Sequence, residues 1–126
     1  MVTLPLYLTT IKAGFPSPAD DFLDKSLDLN EYLIPHPAAT FLVKVSGDSM
    51  IKAGIFPNDI LIVDKSKEPK NRDIVIGVID NEFTVKRYVK SANGEFLCPE
   101  NPNYHPIKLT EGNQIWGVVT HVIHQC

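Results

Sequence analysis

Cysteine and tryptophan are scarce in this chain of 126 residues, which carries two of the former, Cys98 and Cys126, and one of the latter, Trp116. Two cysteines are too few for a disulfide scaffold and suit a reducing compartment. No segment approaches the ~18 consecutive apolar residues that span a bilayer. The amino terminus also lacks the basic start and long apolar stretch of a signal peptide. A soluble, cytoplasmic protein without membrane association is expected. An excess of basic charge is missing too. The formal net charge is -3 and the pI about 5.7, so nothing draws the chain as a whole toward phosphate backbones, and direct nucleic-acid binding is not expected. The densest basic stretch, Lys65 to Arg72, is interrupted by Glu68 and Pro69 and reads as a solvated loop between strands.

With 44% hydrophobic and 21% charged residues, the composition is that of a globular protein with one core. Residues 1–35 differ from the rest. Pro5, Gly14, Pro16, Pro18 and Pro35 interrupt them and Asp20, Asp21, Asp24 and Asp28 keep them wet, the texture of an extended arm. Inside it, Asp28 followed three residues later by Glu31 predicts a short capped helix that Pro35 ends. From Thr40 onward, short runs rich in Val, Ile, Phe and Tyr alternate with turn residues. They predict strands near 40–46, 59–64, 73–79, 82–89, 94–98 and 115–124, with Asp80-Asn81 and Ala92-Asn93-Gly94 as tight turns and an irregular connection over 99–114. No helices alternate with these strands, so the fold class is mainly β: a compact, curved antiparallel sheet or open barrel over 36–126 behind an arm over 1–35.

Two short stretches carry possible chemistry. Ser49 lies in Ser46-Gly47-Asp48-Ser49-Met50, and Lys86 in Phe83-Thr84-Val85-Lys86-Arg87. A serine hydroxyl becomes a nucleophile when a base takes its proton, and a lysine amine is such a base only when neutral. Desolvation neutralises it: lowering a lysine pKa from ~10.4 to ~7 takes roughly 4–5 kcal/mol of preference for the uncharged form. Strand periodicity puts Thr84, Lys86 and Tyr88 on one face, away from Phe83 and Val85. Each stretch also has a plainer reading. Ser-Gly-Asp-Ser is the composition of a surface turn, with an Asx hydrogen bond from Asp48 to stabilise it, and Lys-Arg in an antiparallel strand usually marks the solvent face. Ala13-Gly14 alone is a bend in a linker.

Taken together, these stretches resemble the UmuD-type self-processing proteins, relatives of the carboxy-terminal protease domain of the LexA repressor. Ala13-Gly14-Phe15-Pro16-Ser17-Pro18-Ala19 resembles the family's cleavage segment, and Ser46 to Met50 its nucleophile turn. Asp73 to Ile76 with Glu82 to Lys86 resembles the base-bearing hairpin, and Gly117 to Ile123 the last strand. The resemblance implies a LexA/signal-peptidase type of fold, Ser49 as nucleophile, Lys86 as general base and Ala13-Gly14 as the scissile bond. The backbone N–H groups of Asp48 and Ser49 would then form the oxyanion hole. It further implies no cofactor and no metal, a homodimer, cleavage promoted by a RecA filament on single-stranded DNA, and a trimmed product that joins a UmuC-type polymerase as the UmuD' subunit of translesion DNA polymerase V in SOS mutagenesis.

Other readings compete. A LexA-like repressor needs a helix-turn-helix ahead of the cleavage bond, and thirteen residues are too few for one. A signal peptidase uses a Ser-Lys pair but needs a membrane anchor. A non-catalytic dimeric β module that binds a DNA polymerase would leave Ser49 and Lys86 incidental. A metal site built on His121, His124 and Cys126, with His36, His105 or Cys98, fails on strand alternation, which sends His121 one way and the other two the opposite way. Trp116 and the rings of Phe41, Phe56, Phe83 and Phe96 read as core or subunit contact, since no basic stripe interleaves them.

Overall fold

In the computed structural model the described residues are 2–7, 14 and 23–126. The chain divides into two compact units, Met1–Pro35 and His36–Cys126. In the first, β1 (Leu4–Tyr7) pairs antiparallel with β2 (Leu23–Leu27). This ladder is not predicted by the sequence reading, because prolines and acidic residues mask a pairing between segments so far apart in the chain. The capped helix is where the pattern puts it: α1 runs over Leu29–Leu33, and Asp28 Oδ1 accepts from the Asn30 N–H at 3.0 Å.

The second unit is built on one seven-stranded antiparallel sheet. Its strands are β3 (Thr40–Lys44), β4 (Ile60–Asp64), β5 (Ile74–Ile79), β6 (Glu82–Ser91), β7 (Gly94–Cys98), β8 (Ile107–Lys108) and β9 (Gln114–Ile123), in the spatial order β3-β4-β9-β5-β6-β7-β8. Six match the predicted strands within a few residues. The seventh, β8, lies in the connection read as irregular and is held by only two residue pairs to β7. The mainly β fold class is therefore correct.

Local chemistry explains the tight connections. Asp80 and Asn81 have φ of 51° and 64°, so the β5–β6 hairpin closes through two left-handed residues between the paired Ile79 and Glu82, a backbone that short polar side chains tolerate. The shift in register at Ile76/Gly77 marks a bulge between β5 and β9. Alternation then sends neighbouring residues to different cores. Ile76 joins Val45, Met50, Ile55, Leu61 and Val63, whereas Val75 joins Tyr88, Leu97 and Val118. The first cluster underlies the Ser49 turn. The second holds β6 against β5 and β7, with Tyr88 donating from its hydroxyl to Glu95 across the β6–β7 pair.

The aromatic residues correct one expectation. Phe41, Phe56 and Phe83 are exposed rather than core. Phe41 and Phe83 instead flank Trp116, with ring centroids 5.3 and 5.2 Å away, and Lys65 Nζ lies 4.7 Å over the indole. Phe41 and Phe83 project from β3 and β6 to either side of the Trp116 ring, which itself packs against the buried cluster, so a large apolar side chain in a strand does not mean a buried one. Among the described residues no helix is long and apolar enough to cross a membrane.

Candidate active site

The turn after β3 is pinned at both ends. Val45 is buried and exchanges hydrogen bonds with the segment before β4: its N–H donates to Asp59 O and its carbonyl accepts from Asn58 N–H, both at 2.8 Å. Met50, 2% exposed, anchors the other end. Between them Gly47 takes a φ of 83°, a left-handed conformation that glycine adopts without steric cost and that lets the chain reverse ahead of Asp48 and Ser49. A single 3₁₀ turn over Ile51–Ala53 follows and stops at Gly54, φ 80°, before the fully buried Ile55. Ser49 is thus carried on a short arch whose feet are sunk in the apolar cluster.

Lys86 comes from β6, an interior strand paired with β5 on one side and β7 on the other. Opposite it on β5 stands the fully buried Val75. Only 8% of Lys86 is exposed. Its Nζ lies 2.8 Å from Ser49 Oγ, 2.9 Å from Thr84 Oγ1 and 3.1 Å from the carbonyl of Val85. Thr84 and Lys86 share a face of the strand, so the threonine hydroxyl falls beside the amine, as alternation demands. Among the described residues Lys86 forms no ion pair, and desolvation lowers its pKa from the ordinary lysine value. The solvent-face reading of Lys86 is thereby overturned.

Three oxygens, of Ser49, Thr84 and the Val85 carbonyl, therefore stand within hydrogen-bond reach of the amine. A cleft opens beside Ser49. It has a volume of about 140 Å³ and is lined by Val45, Ser49, Leu61, Ile76 and Val85, with Phe83 at its rim. Geometry and burial together set a serine hydroxyl against a desolvated amine.

The Asx turn expected at Asp48 is not what stabilises the arch. Asp48 Oδ1 accepts from the Tyr104 hydroxyl at 2.8 Å, and Asp48 O from Asn101 Nδ2 at 2.9 Å. Ser49 O accepts from Glu100 N–H at 2.8 Å. The segment after β7 therefore grips the arch, a role hidden in a sequence stretch read only as an irregular connection. Of the two groups expected to hold the scissile bond, Gly14 is exposed, and Ala13 lies outside the described residues. The histidines go elsewhere: His36 Nδ1 is 2.6 Å from Asp64 Oδ2 and His124 Nδ1 2.6 Å from Asp59 Oδ1. Among the described residues, no three His, Cys, Asp or Glu side chains converge as a metal site would require.

Comparison with known proteins shows the family. The Peptidase S24-like family model matches residues 5–120. Protein ImpA of Salmonella typhimurium is 45% identical over 122 residues, covering 96% of this chain and 83% of that protein. Protein SamA of Salmonella typhimurium strain LT2 is 48% identical over 123 residues, covering 98% and 86%. The LexA repressor of Clostridium novyi is 39% identical over 111 residues, which are 88% of this chain but 54% of the repressor. With a family model across nearly all of its length and these relatives beside it, the chain belongs to the peptidase S24-like family, among the UmuD-type and LexA-related proteins.

Proposed function

We propose that this protein is a serine endopeptidase that cuts its own chain once, between Ala13 and Gly14, with Ser49 as nucleophile and Lys86 as general base. The observation that carries the reading is the 2.8 Å separation of a buried, unpaired lysine amine from a serine oxygen on a rigid arch. Membership in a peptidase family supports it.

The steps follow from the groups present. Neutral Lys86 takes the proton of the Ser49 hydroxyl as Oγ adds to the Ala13 carbonyl carbon, giving a tetrahedral oxyanion. The N–H groups of Asp48 and Ser49 are the donors offered to that oxyanion. Collapse breaks the C–N bond, the Lys86 proton passes to the departing Gly14 amine, and Ala13 is left as an ester on Ser49. Lys86 then deprotonates water, which hydrolyses the ester, frees the Ala13 carboxylate and returns the proton to Ser49. Small residues on both sides of the bond let it approach a nucleophile set beside a desolvated amine. Tethering supplies the substrate at high effective concentration, so a slow catalyst suffices for one cut.

On this reading 1–35 is an arm carrying the cleavage site and 36–126 the protease domain. The setting is SOS mutagenesis in the cytoplasm, as the kinship with UmuD-type proteins suggests. A RecA filament on single-stranded DNA favours the cleavable pose. The trimmed homodimer serves as the UmuD' subunit beside a UmuC-type translesion polymerase, without itself binding nucleic acid or membrane. The test is the amino-terminal sequence of the fragment made with activated RecA, or by incubation at alkaline pH. A product beginning at Gly14 is expected. Protein that stays intact under both conditions favours the non-catalytic, polymerase-binding β module instead.

A further inference from the structure

The segment that follows β7 contributes nothing to the cleft, yet it holds the Ser49 arch by its backbone. Glu100 N–H donates to Ser49 O at 2.8 Å, and Glu100 O accepts from Lys52 N–H at 2.9 Å. Arg87, the residue after Lys86 on β6, ties Glu100 to the base-bearing strand through Nε to Oε1 at 3.0 Å. Its Nη1 donates to Arg72 O at 2.7 Å. At the centre of this grip is Asn101, a residue 5% exposed that uses both ends of its carboxamide. Nδ2 donates to Asp48 O at 2.9 Å, and Oδ1 accepts from Asn103 N–H at 3.0 Å.

The bond to Asp48 O matters because of what shares its peptide plane. The carbonyl of Asp48 and the N–H of Ser49 belong to one planar unit, and in a trans peptide they point in opposite directions. Among the described residues there are no cis bonds. Fixing the carbonyl therefore fixes the N–H, and a donor on the carbonyl oxygen polarises the amide so that its N–H becomes a stronger donor. Ile51 N–H adds a longer bond of 3.3 Å to the same oxygen. Among the described residues no protein acceptor takes the Ser49 N–H, which keeps it available. The Asp48 side chain, held by Tyr104, steadies the plane from its other end.

We propose that Asn101 is a positioning residue that aims and polarises the Ser49 N–H as an oxyanion donor, so that the 99–104 segment sets the cleavage rate without touching the substrate. The inference rests on the self-cleavage reading above and adds to it a residue outside the Ser49–Lys86 pair. A carboxamide is a fitting group: it offers a donor to Asp48 O and, on a separate atom, an acceptor to Asn103 N–H at once. Aspartate keeps the shape and the acceptor but loses the donor.

The experiment compares alkaline self-cleavage of the full-length wild type, Ser49→Ala, Asn101→Asp and Asn101→Ser across pH, with thermal melting of each. In Asn101→Asp the plateau rate is expected to fall at least fivefold and toward a hundredfold, short of the ~10²–10³ lost when an oxyanion donor is removed outright. The new carboxylate stands close enough to Lys86 to raise its pKa, so the pH at which the rate bends is read in the uncharged Asn101→Ser, where it should stay at the wild-type value. A smaller loss in Asn101→Asp, or a bend that moves in Asn101→Ser, overturns the proposal, the second outcome meaning that Asn101 acts on the fold around Lys86. Should Asn101→Asp melt below the assay temperature, the loss of rate too is read in Asn101→Ser, whose shorter side chain falls short of Asp48 O. An uncut wild type sinks the parent reading and this inference with it; a cut wild type with an undiminished Asn101 variant sinks only the inference.

Discussion

Lys86 Nζ and Ser49 Oγ lie 2.8 Å apart although 37 residues separate them in the chain. One sits on an interior strand and the other on an arch after an edge strand, so the sheet itself sets the distance. On the proposed mechanism the reactive form of Lys86 is the deprotonated one, and because burial lowers the lysine pKa its population rises with pH and saturates earlier than a free lysine's would. Self-cleavage should therefore climb about tenfold per pH unit and then level off, with the bend below the ~10.4 of a free lysine. Ser49→Ala should yield no Gly14 product at any pH. Lys86→Ala should lose roughly 10²–10⁴ in rate, the worth of a positioned base, and its residual rate should no longer show the bend. Densitometry of the fragment over time measures all three, and retained wild-type cutting in either variant contradicts the role assigned to that residue.

Gly14 offers a test of the bond rather than of the catalyst. Among the described residues nothing lies within 4 Å of a Cβ built there, so a larger side chain clashes with none of them. Its cost falls on the approach of the bond to Ser49. Gly14→Glu is expected to melt like the wild type and remain uncut with activated RecA. Fragment of the same length from this variant would mean that another peptide bond is the substrate.

Much of this was legible in the chain because local rules governed it. The Asp80-Asn81 turn, the Asp28 cap and six of the seven sheet strands follow from residue type and period. The serine turn and the lysine strand were legible as motifs, and Thr84 was placed on the face of Lys86. What the sequence could not show is long-range. Asn101 and Tyr104 grip Asp48 across 53 and 56 residues. His36 reaches Asp64 and His124 reaches Asp59 over comparable or longer spans than any turn rule covers. The exposed ring of Phe83 shows the same limit, since alternation assigns a face and not the neighbours that bury it.

Gly117 on β9 lies against Val63 of β4. A Cβ there would stand 2.6 Å from Val63 Cγ1, inside a cluster with no room to yield, and the backbone of Asp64 is also near. Gly117→Ala should destabilise by about 1–3 kcal/mol, the range for forcing one extra carbon into a packed core. Chemical denaturation measures it. A variant as stable as the wild type would mean that the sheet relaxes at this point.

Asp64 should make stability depend on acid. Its carboxylate is held to a pKa of about 2, first by the Ser66 hydroxyl, which donates to Oδ1 at 2.6 Å, and then by His36 at Oδ2; the Ser66 N–H adds a further bond of 2.8 Å to Oδ1. A pKa lower in the folded than in the unfolded chain means that the unfolded chain binds the proton more readily. The stabilisation is thus complete above the ordinary carboxylate value of ~3.9 and drains away as pH falls toward 2. Asp64→Asn cannot ionise, so it should melt below the wild type at pH 6, with the gap narrowing as pH is lowered from about 4 to about 2. Thermal melts at four or five pH values across that window decide it: a gap that stays constant would show that the charge on Asp64 contributes nothing to the fold.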